Sequence, residues 1–517
     1  MCLGYALTVH RFAAFPLRTA GAWPSGRPIV AFVASIFFVA VLAAQAQESI
    51  EPDILPSLAE PPASSVEPPP STLAEALPAV PESLPSAPVE PLPSPAASLP
   101  SSEEAFPASR QSLSSSMNYT GGYTTVVPAP VATGPNGVFP GGEPIESGEP
   151  RRIYYKFGLT VRGVWDDNIY LTHTNKVSDY YFAIEPWITI GVGDIEGRNK
   201  SYLRLDYMPS GILYVDHSDQ NAFDQVIHLE GGYSSGRWTF TLAEDIALLE
   251  SANFNSFFDT TGLWANTDAG GRTRVNIFNT RARADYQLTG KVFLQGEFDS
   301  SIYFYPDHIS DYMISTGLYV YYSWLPKVSV GIGGTFGYDW VDDPTANQTF
   351  EQVNARLNYE VTSKFFLYAS AGVEFRQFDG NRGTYTSPVF EVGSIYTPFS
   401  GTTITFAAGR RIYNSGYLAN QDFGGTYVMG RFQQRLFRRF YFGLGAGYEN
   451  SDYIATDRDV SATRNDDYWF VEPSLDVLIT RWLSAGVYYL HREDISNNND
   501  SFSFDDNQVG VRATVRF

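Results

Sequence analysis

Residues 507–517 read NQVGVRATVRF and bring the chain to Phe517. Apolar and polar residues alternate here, which is the pattern of a β-strand whose successive side chains point to opposite faces. One face carries Val509, Val511, Ala513, Val515 and Phe517. The other face carries Gly510, Arg512, Thr514 and Arg516. An apolar outer face opposite a polar inner face is typical of a barrel wall in lipid, although the edge of a soluble sandwich can show the same alternation.

The first 46 residues predict a removable export signal. Three arginines and no acid precede an apolar run from Ile29 to Leu42, and small residues follow as far as Ala46. The run is too short for a membrane-spanning helix, so we interpret residues 1–46 as a Sec-type signal peptide, with a membrane anchor as the alternative. The only cysteine, Cys2, lies in this leader, so we expect no disulfide and no thiol chemistry in the mature chain.

Residues 47–150 have the composition of a disordered tether. Between Glu51 and Arg110 the sequence holds sixteen prolines and nine acidic residues against one basic residue. Such a segment cannot bury enough apolar surface to fold, so we expect an extended periplasmic linker. The net charge of −21 for the whole chain argues against a nucleic-acid partner.

Residues 151–517 form a long series of alternating segments, which predicts an all-β region. Short connections carry Lys291, Lys327 and Lys364, spaced by 36 and 37 residues, and longer polar connections lie between them. One strand down and one strand up per period is a hairpin repeat. Short turns on one side and long loops on the other predict a transmembrane antiparallel up-and-down β-barrel.

The count of alternating segments is about eighteen, which is within the range of such barrels. We place the first strand at 153–165, the second at 180–192 and the last at 503–517. Sixteen strands is the alternative, because the segment 201–236 is weakly patterned around Pro209. An even number leaves both ends of the barrel on the periplasmic side, where the last strand closes on the first.

Aromatic residues recur in short runs, among them Tyr303 to Tyr305, Tyr319 to Trp324, and Tyr488 with Tyr489. We interpret these runs as girdles at the two membrane interfaces, where Tyr and Trp are enriched. Packing of the same rings in a core is the alternative.

Polar residues on the inner face nominate the lining of a lumen. The arginine candidates are Arg162, Arg356, Arg376, Arg431, Arg435, Arg512 and Arg516, and the acidic candidates are Glu185, Glu360, Glu374 and Glu391. Arginines on one wall facing acids on the other would create a transverse field that selects hydrophilic solutes. Alternatively, these charges pair across neighbouring strands and stabilise the wall. We expect Arg512 and Arg516 to lie beside Arg162 where the barrel closes.

No residue pattern predicts catalysis, a metal site or a cofactor. Asp166 and Asp167 could activate water, but adjacent residues of a strand point to opposite faces, so we expect them to bind a cation or to be solvated. The five histidines after the leader are scattered and lack zinc spacing. We therefore expect no enzyme, no cofactor and no resident metal.

The stretch Gly163-Val164-Trp165-Asp166-Asp167-Asn168-Ile169-Tyr170-Leu171-Thr172 resembles the opening signature of the β-barrel porin 2 family. Leu205-Asp206-Tyr207 and Tyr214-Val215-Asp216-His217 fit the same pattern, over residues 154–517. The resemblance implies an outer-membrane porin and draws attention to Asp166, Asp167 and Asn168. By a similar resemblance, Val511, Ala513, Val515 and Phe517 form a C-terminal signal for the barrel assembly machinery.

Three functions fit these patterns. The first is a porin in the outer membrane of a Gram-negative-type bacterium, surrounded by lipid and passing small hydrophilic solutes through an aqueous lumen. The second is a component of exopolysaccharide export or surface assembly, whose tether recruits periplasmic partners. The third is a structural anchor, whose tether reaches the cell wall.

Overall fold

The computed structural model describes residues 153–193, 201–250, 268, 270–380, 383–497 and 502–517. The predicted signal peptide, 1–46, and the predicted tether, 47–150, lie outside the described residues and remain predictions. The described chain forms one antiparallel sheet of eighteen strands that closes on itself. The predicted transmembrane up-and-down barrel and its strand number are therefore confirmed.

Each strand is twelve to sixteen residues long, enough for a tilted strand to cross a bilayer. The strands are β1 Ile153–Asp166, β2 Asp179–Gly193, β3 Tyr202–Tyr214, β4 Ala222–Ser235, β5 Trp238–Leu249, β6 Val275–Gln287, β7 Val292–Phe304, β8 Asp311–Leu325, β9 Val328–Val341, β10 Gln348–Thr362, β11 Phe365–Phe378, β12 Gly383–Tyr396, β13 Thr402–Asn414, β14 Gln421–Leu436, β15 Phe440–Ala455, β16 Asn465–Leu478, β17 Leu483–Ser496 and β18 Phe504–Arg516. The segment around Pro209 is strand β3, so the alternative of sixteen strands is excluded.

The barrel closes where β18 pairs with β1. Arg512 lies opposite Arg162 in this register. At the end of the seam the amide of Phe517 donates to the carbonyl of Phe157 at 2.8 Å, and the two rings stack with centroids 5.2 Å apart. The terminal strand is therefore part of the wall on both sides and not a sheet edge.

The outer surface of the barrel is apolar because alternate residues of every strand face outward. On β18, Val511 is 57% exposed whereas Arg512, the next residue, is buried. Exposed Leu318, Ile332 and Val353 repeat this arrangement on β8, β9 and β10. Such a band suits the hydrocarbon of a bilayer. Among the described residues, no helix has the length and hydropathy that crossing a membrane requires.

The aromatic runs divide between the two faces, which corrects the interpretation of all of them as girdles. Tyr321 is 1% exposed and lies inside the barrel, whereas Tyr322 is 45% exposed outside. Tyr488 and Tyr489 divide in the same way. The physical reason is the two-residue period of a strand, which sends adjacent rings to opposite faces. Only about half of each run can therefore meet lipid.

The two ends of the barrel differ in their connections. One end, named here the turn end, carries the short turns that, from β4 onward, join each even-numbered strand to the next odd-numbered strand. The last residue, Phe517, lies at the same end. The opposite end, named the loop end, carries the longer connections, including 167–178 and 456–464. The predicted alternation of short and long connections is confirmed.

Candidate functional site in the barrel lumen

The inner face of the barrel carries ion pairs between arginines and carboxylates. Arg162 on β1 donates to Glu185 on β2, with Nε 3.1 Å from Oε2. Arg356 on β10 donates through both terminal nitrogens to Glu297 on β7, at 2.8 and 3.0 Å. Bidentate pairs of this kind fix both the charge and the position of the guanidinium. Arg162 and Glu185 thus pair across neighbouring strands, whereas Arg356 and Glu297 pair over a distance of three strands.

A glycine makes one of these pairs possible across an intervening strand. Arg512 on β18 donates to both oxygens of Asp476 on β16, at 2.8 and 2.6 Å. Gly486 of β17 lies between them in register with both, and a Cβ at that position would come within 2.0 Å of the Asp476 carboxylate. Only glycine leaves room there for the bridge.

Three further candidates, Arg376, Glu374 and Glu391, belong to a second group of pairs. Arg376 donates through Nε to Glu374 at 2.8 Å and contacts Asp422 on β14 at 3.4 Å. Glu391 accepts from Arg411, which was not a candidate, at 2.8 Å.

The remaining candidates have the inner-face parity and lie toward the turn end, where Glu360, Arg431 and Arg435 are exposed and Arg516 is half-buried. Glu360 faces Lys327 at 3.8 Å, and Arg435 donates to the carbonyl of Arg438 in the adjoining turn. Arg516 likewise donates to the carbonyl of Arg481, so it does not accompany Arg512 into the buried interior. The side chain of Arg431 is exposed on the same parity. In the described part of the chain, solvent-accessible side chains line this end of the lumen.

The loop-end halves of β13 and β14 separate from β12 and bend inward, while β14 stays paired with β15 as far as Gln421. β12 pairs with β13 only from Phe390 to Tyr396, although it pairs with β11 along its whole length. Beyond that point Asp422 accepts from Gln348 of β10 at 2.9 Å and contacts Arg376 of β11. These partners lie four and three strands away along the wall and not in the neighbouring strand. The hairpin tip therefore crosses the interior instead of extending the wall.

The connection 415–420, named here the hub, is held by other connections of the loop end. Gly416 accepts from the amide of Ile309 at 2.7 Å, and Asn420 accepts from that of Thr456 at 2.9 Å. The amide of Asn420 donates to Thr345 at 2.9 Å. The hub thus joins the β7–β8, β9–β10 and β15–β16 connections and narrows the mouth of the barrel.

Asp268, between β5 and β6, secures the hub. Its carboxylate accepts from Ser415 Oγ at 2.9 Å, from the amide of Gly416 at 2.6 Å and from Tyr453 at 2.7 Å. Arg464 donates to its backbone carbonyl at 2.8 Å. Burial raises the pKa of the Asp268 carboxyl, and the charge of Arg464 offsets part of that effect.

An aromatic cluster lies inside the barrel beneath the hub. The rings of Tyr413 and Phe423 lie 5.4 Å apart, and those of Phe423 and Tyr453 lie 5.3 Å apart. Tyr468 and Phe504 belong to the same buried cluster. Apolar packing inside a barrel leaves little room for water, so the loop end of the lumen is the constricted part of the interior.

Asp166, Asp167 and Asn168 hold the barrel seam at its loop end. Asp166 accepts from Gln508 at 3.1 Å; both oxygens of Asp167 accept from Asn507, at 2.7 Å. Asn168 donates to the carbonyl of Asp505 at 2.8 Å.

The expectation that the two aspartates point apart is wrong, because β1 ends at Asp166. Oxygen atoms of Asp166, Asp167 and Asp506 lie within 4.8 Å of one another, the spacing of possible metal ligands. Amide donors of Asn507 and Gln508 already meet most of these oxygens. The motif's evident role is therefore to join the first and last strands.

Sequence reasoning missed the residues that narrow the lumen. Asp422 was overlooked because its alternation within β14 does not reveal that the strand end bends inward. Asp268 was overlooked because it contacts Ser415, which lies 147 residues away. Only the small polar composition around Ser415 and Gly416 could have indicated a tight connection there.

Fold and site together define a closed transmembrane β-barrel with a charged lumen and a constricted loop end. No protein-family model matches the chain, so the resemblance of residues 163–172 to the β-barrel porin 2 family remains a prediction. None of the curated proteins matches the chain either.

Solved outer-membrane proteins are among the similar structures. OpdK of Pseudomonas aeruginosa, crystallised with vanillate, is 12% identical over 70% of this chain and 99% of its own, with a TM-score of 0.37. OccK2 (OpdF) of the same organism is 11% identical over 70% and 98%, with a TM-score of 0.37. OccAB3 of Acinetobacter baumannii is 10% identical over 70% and 99%, with a TM-score of 0.35. Similarity this low supports no conclusion about function.

Proposed function

We propose that this protein is an outer-membrane porin of a Gram-negative-type bacterium that passes small hydrophilic solutes by passive diffusion. The observation that carries the proposal is the opposition of the two faces of the wall: the exposed Val511 faces outward, and the paired Arg512 faces the lumen. Charged side chains on the inner face do not contact lipid, but they stabilise water and polar solutes in a pore.

The hub sets the size of the opening in this proposal. Because residues 415–420 cross the mouth and bind three other connections, solutes enter around the hub and not through a wide cylinder. Among the described residues, the turn end, with Glu360 and Arg435 exposed, offers no comparable restriction. Passage is therefore limited at the loop end.

Planar-bilayer conductance and liposome swelling test the proposal directly. We expect the folded full chain to conduct ions and to admit small sugars, and the same preparation unfolded by heat to do neither. A variant in which residues 416–419 are replaced by two glycines should conduct more, because the hub then no longer reaches Ile309 and Thr345. If neither the native chain nor this variant conducts, the porin proposal is wrong.

The export signal, the tether and the C-terminal motif also have roles in the same proposal. Residues 1–46 direct Sec export, and residues 47–150 tether the barrel to a periplasmic or cell-wall partner. The motif ending at Phe517 is read by the assembly machinery. Deleting residues 48–150 should leave conductance intact and abolish co-sedimentation with cell-wall material, whereas deleting Phe517 should lower the amount of barrel inserted in the membrane.

A further inference from the structure

Two acidic side chains flank a tyrosine on the inner face at the loop end. Tyr468 of β16 lies opposite Glu449 of β15 on one side and opposite Asp494 of β17 on the other. Adjacent strands are about 4.8 Å apart, so the two acids extend from backbone positions only about two strand spacings apart. They act on each other electrostatically. Both are buried: Glu449 is 2% exposed and Asp494 is 1% exposed.

Neither carboxylate has a hydrogen-bond donor among the described residues. All four oxygens of Glu449 and Asp494 are buried and without a partner there. The contrast with Glu297 is clear, since Arg356 donates to both of its oxygens. An unpaired buried charge costs several kcal/mol even after the surroundings relax. Two such carboxylates on either side of one tyrosine require a cation or bound protons to offset their charge.

The neighbouring arginines are bound to other acids. Arg411 donates to Glu391 at 2.8 Å. Arg464 pairs with Asp466 and Arg492 pairs with Asp506, both at 2.6 Å. Among the described residues, the patch formed by Glu449, Asp466, Asp494 and Asp506 therefore has four carboxylates, of which Asp466 and Asp506 pair with Arg464 and Arg492.

We propose that Glu449 and Asp494 bind a small cation in the lumen, either an inorganic ion or the ammonium group of a solute, and make the channel select cations over anions. Carboxylate oxygens are the ligands that hard cations prefer, and they accept the three N–H bonds of an ammonium group equally well. The buried rings of Tyr468 and Phe504 beside the site add a surface that attracts cations. The selectivity part of this inference rests on the proposed porin function.

Reversal potentials measured in planar bilayers across a KCl gradient test the selectivity. We expect the native chain to prefer K⁺ over Cl⁻. The double substitution Glu449→Gln with Asp494→Asn should lower the permeability ratio by about tenfold, the low end of the concentration effect of a charged cleft with low-dielectric walls. The single variants should each give part of this loss, and they replace the double variant if it does not fold.

The control is Asp307→Asn, which removes the same charge from an exposed position at the loop end. We expect this variant to keep the native permeability ratio. If the variants of Glu449 and Asp494 conduct with the native ratio, the cation site is wrong while the porin function stands. If the neutral variants and Asp307→Asn lower the ratio equally, general surface charge explains selectivity and the site is again wrong.

Absence of any conductance would contradict only the porin function. Calorimetric titration then tests whether Glu449 and Asp494 bind a cation. Calcium chloride and a small diamine are titrated separately into the full chain folded in detergent. Heat of binding with either probe that disappears in Glu449→Gln with Asp494→Asn, but not in Asp307→Asn, supports the site and identifies the kind of cation. No difference between the native chain and the double variant for either probe overturns it.

Discussion

The two ends of the lumen use the same residue types for different purposes. At the loop end, Arg492 is buried, donates to Asp506 at 2.6 Å and lies over the ring of Phe504. At the turn end, Arg435 is exposed, donates to a turn carbonyl and lies over the ring of Tyr441, without a carboxylate partner among the described residues. The difference teaches that alternation brings an arginine to the inner face, whereas the surrounding packing decides whether it holds the barrel together or only meets water.

The largest test of this comparison is the loss of a buried arginine. Arg492→Ala should lower the free energy of unfolding by about 3–5 kcal/mol, because it leaves Asp506 as a buried charge without its partner. The matched change Arg435→Ala should cost less than about 0.5 kcal/mol. Denaturant unfolding of the detergent-folded protein measures both. Equal losses would remove the distinction between the two ends.

The second test releases the hub. Asp268→Ala removes the acceptor of Ser415, Gly416 and Tyr453, and hydrogen bonds to a charged group each contribute about 1.5–3 kcal/mol. We expect single-channel recordings to show longer or larger openings. Asp307→Asn serves as the control with one charge removed from the same end. An unchanged opening pattern in Asp268→Ala would mean that the hub holds its place without this carboxylate.

The third test uses pH. Because burial raises the pKa of Asp268, the held state of the hub binds a proton more tightly than a released state does. The stabilisation of the held hub by Asp268 is therefore complete below the ordinary pKa of an aspartate, about 3.9. This stabilisation is lost as the pH rises through the raised pKa of Asp268. We expect opening to increase from acid toward neutral pH in the native chain and to depend less on pH in Asp268→Ala. The opposite slope would contradict the assignment.

The smallest effect is expected at the turn end. Glu360→Gln removes an exposed partner of Lys327, whose Nζ lies 3.8 Å away, and surface pairs of this kind contribute about 0–1 kcal/mol. The unfolding midpoint should shift little, and added salt should make the shift smaller still because it screens exposed charges. A large loss would indicate that the turn end is packed as tightly as the loop end.

Much of the wall could be predicted from the sequence. The expected first strand, 153–165, and last strand, 503–517, agree with β1 and β18 within two residues. Parity also predicted that Arg512 would lie beside Arg162. These predictions succeed because side-chain direction in a strand depends only on the two-residue period, and closure of an even barrel brings the last strand to the first.

The partners inside the barrel could not be predicted in the same way. Arg356 and Glu297 are on β10 and β7, and nothing local connects them. The buried position of Tyr321 beside the exposed Tyr322 follows from parity, yet the run as a whole resembled a girdle. The curvature of the closed sheet brings such residues together, and the alternation within a strand does not encode that curvature.

The sequence by itself determined an even, closed series of strands with an apolar outside and a charged inside, because that pattern repeats along each strand. Only the tertiary structure decided that the tip of β13 and β14 bends inward and that Asp268 holds the hub. It also decided that Glu449 and Asp494 are buried without donors among the described residues. The physical reason is that these features depend on distances between segments far apart in the chain. A local period cannot specify them.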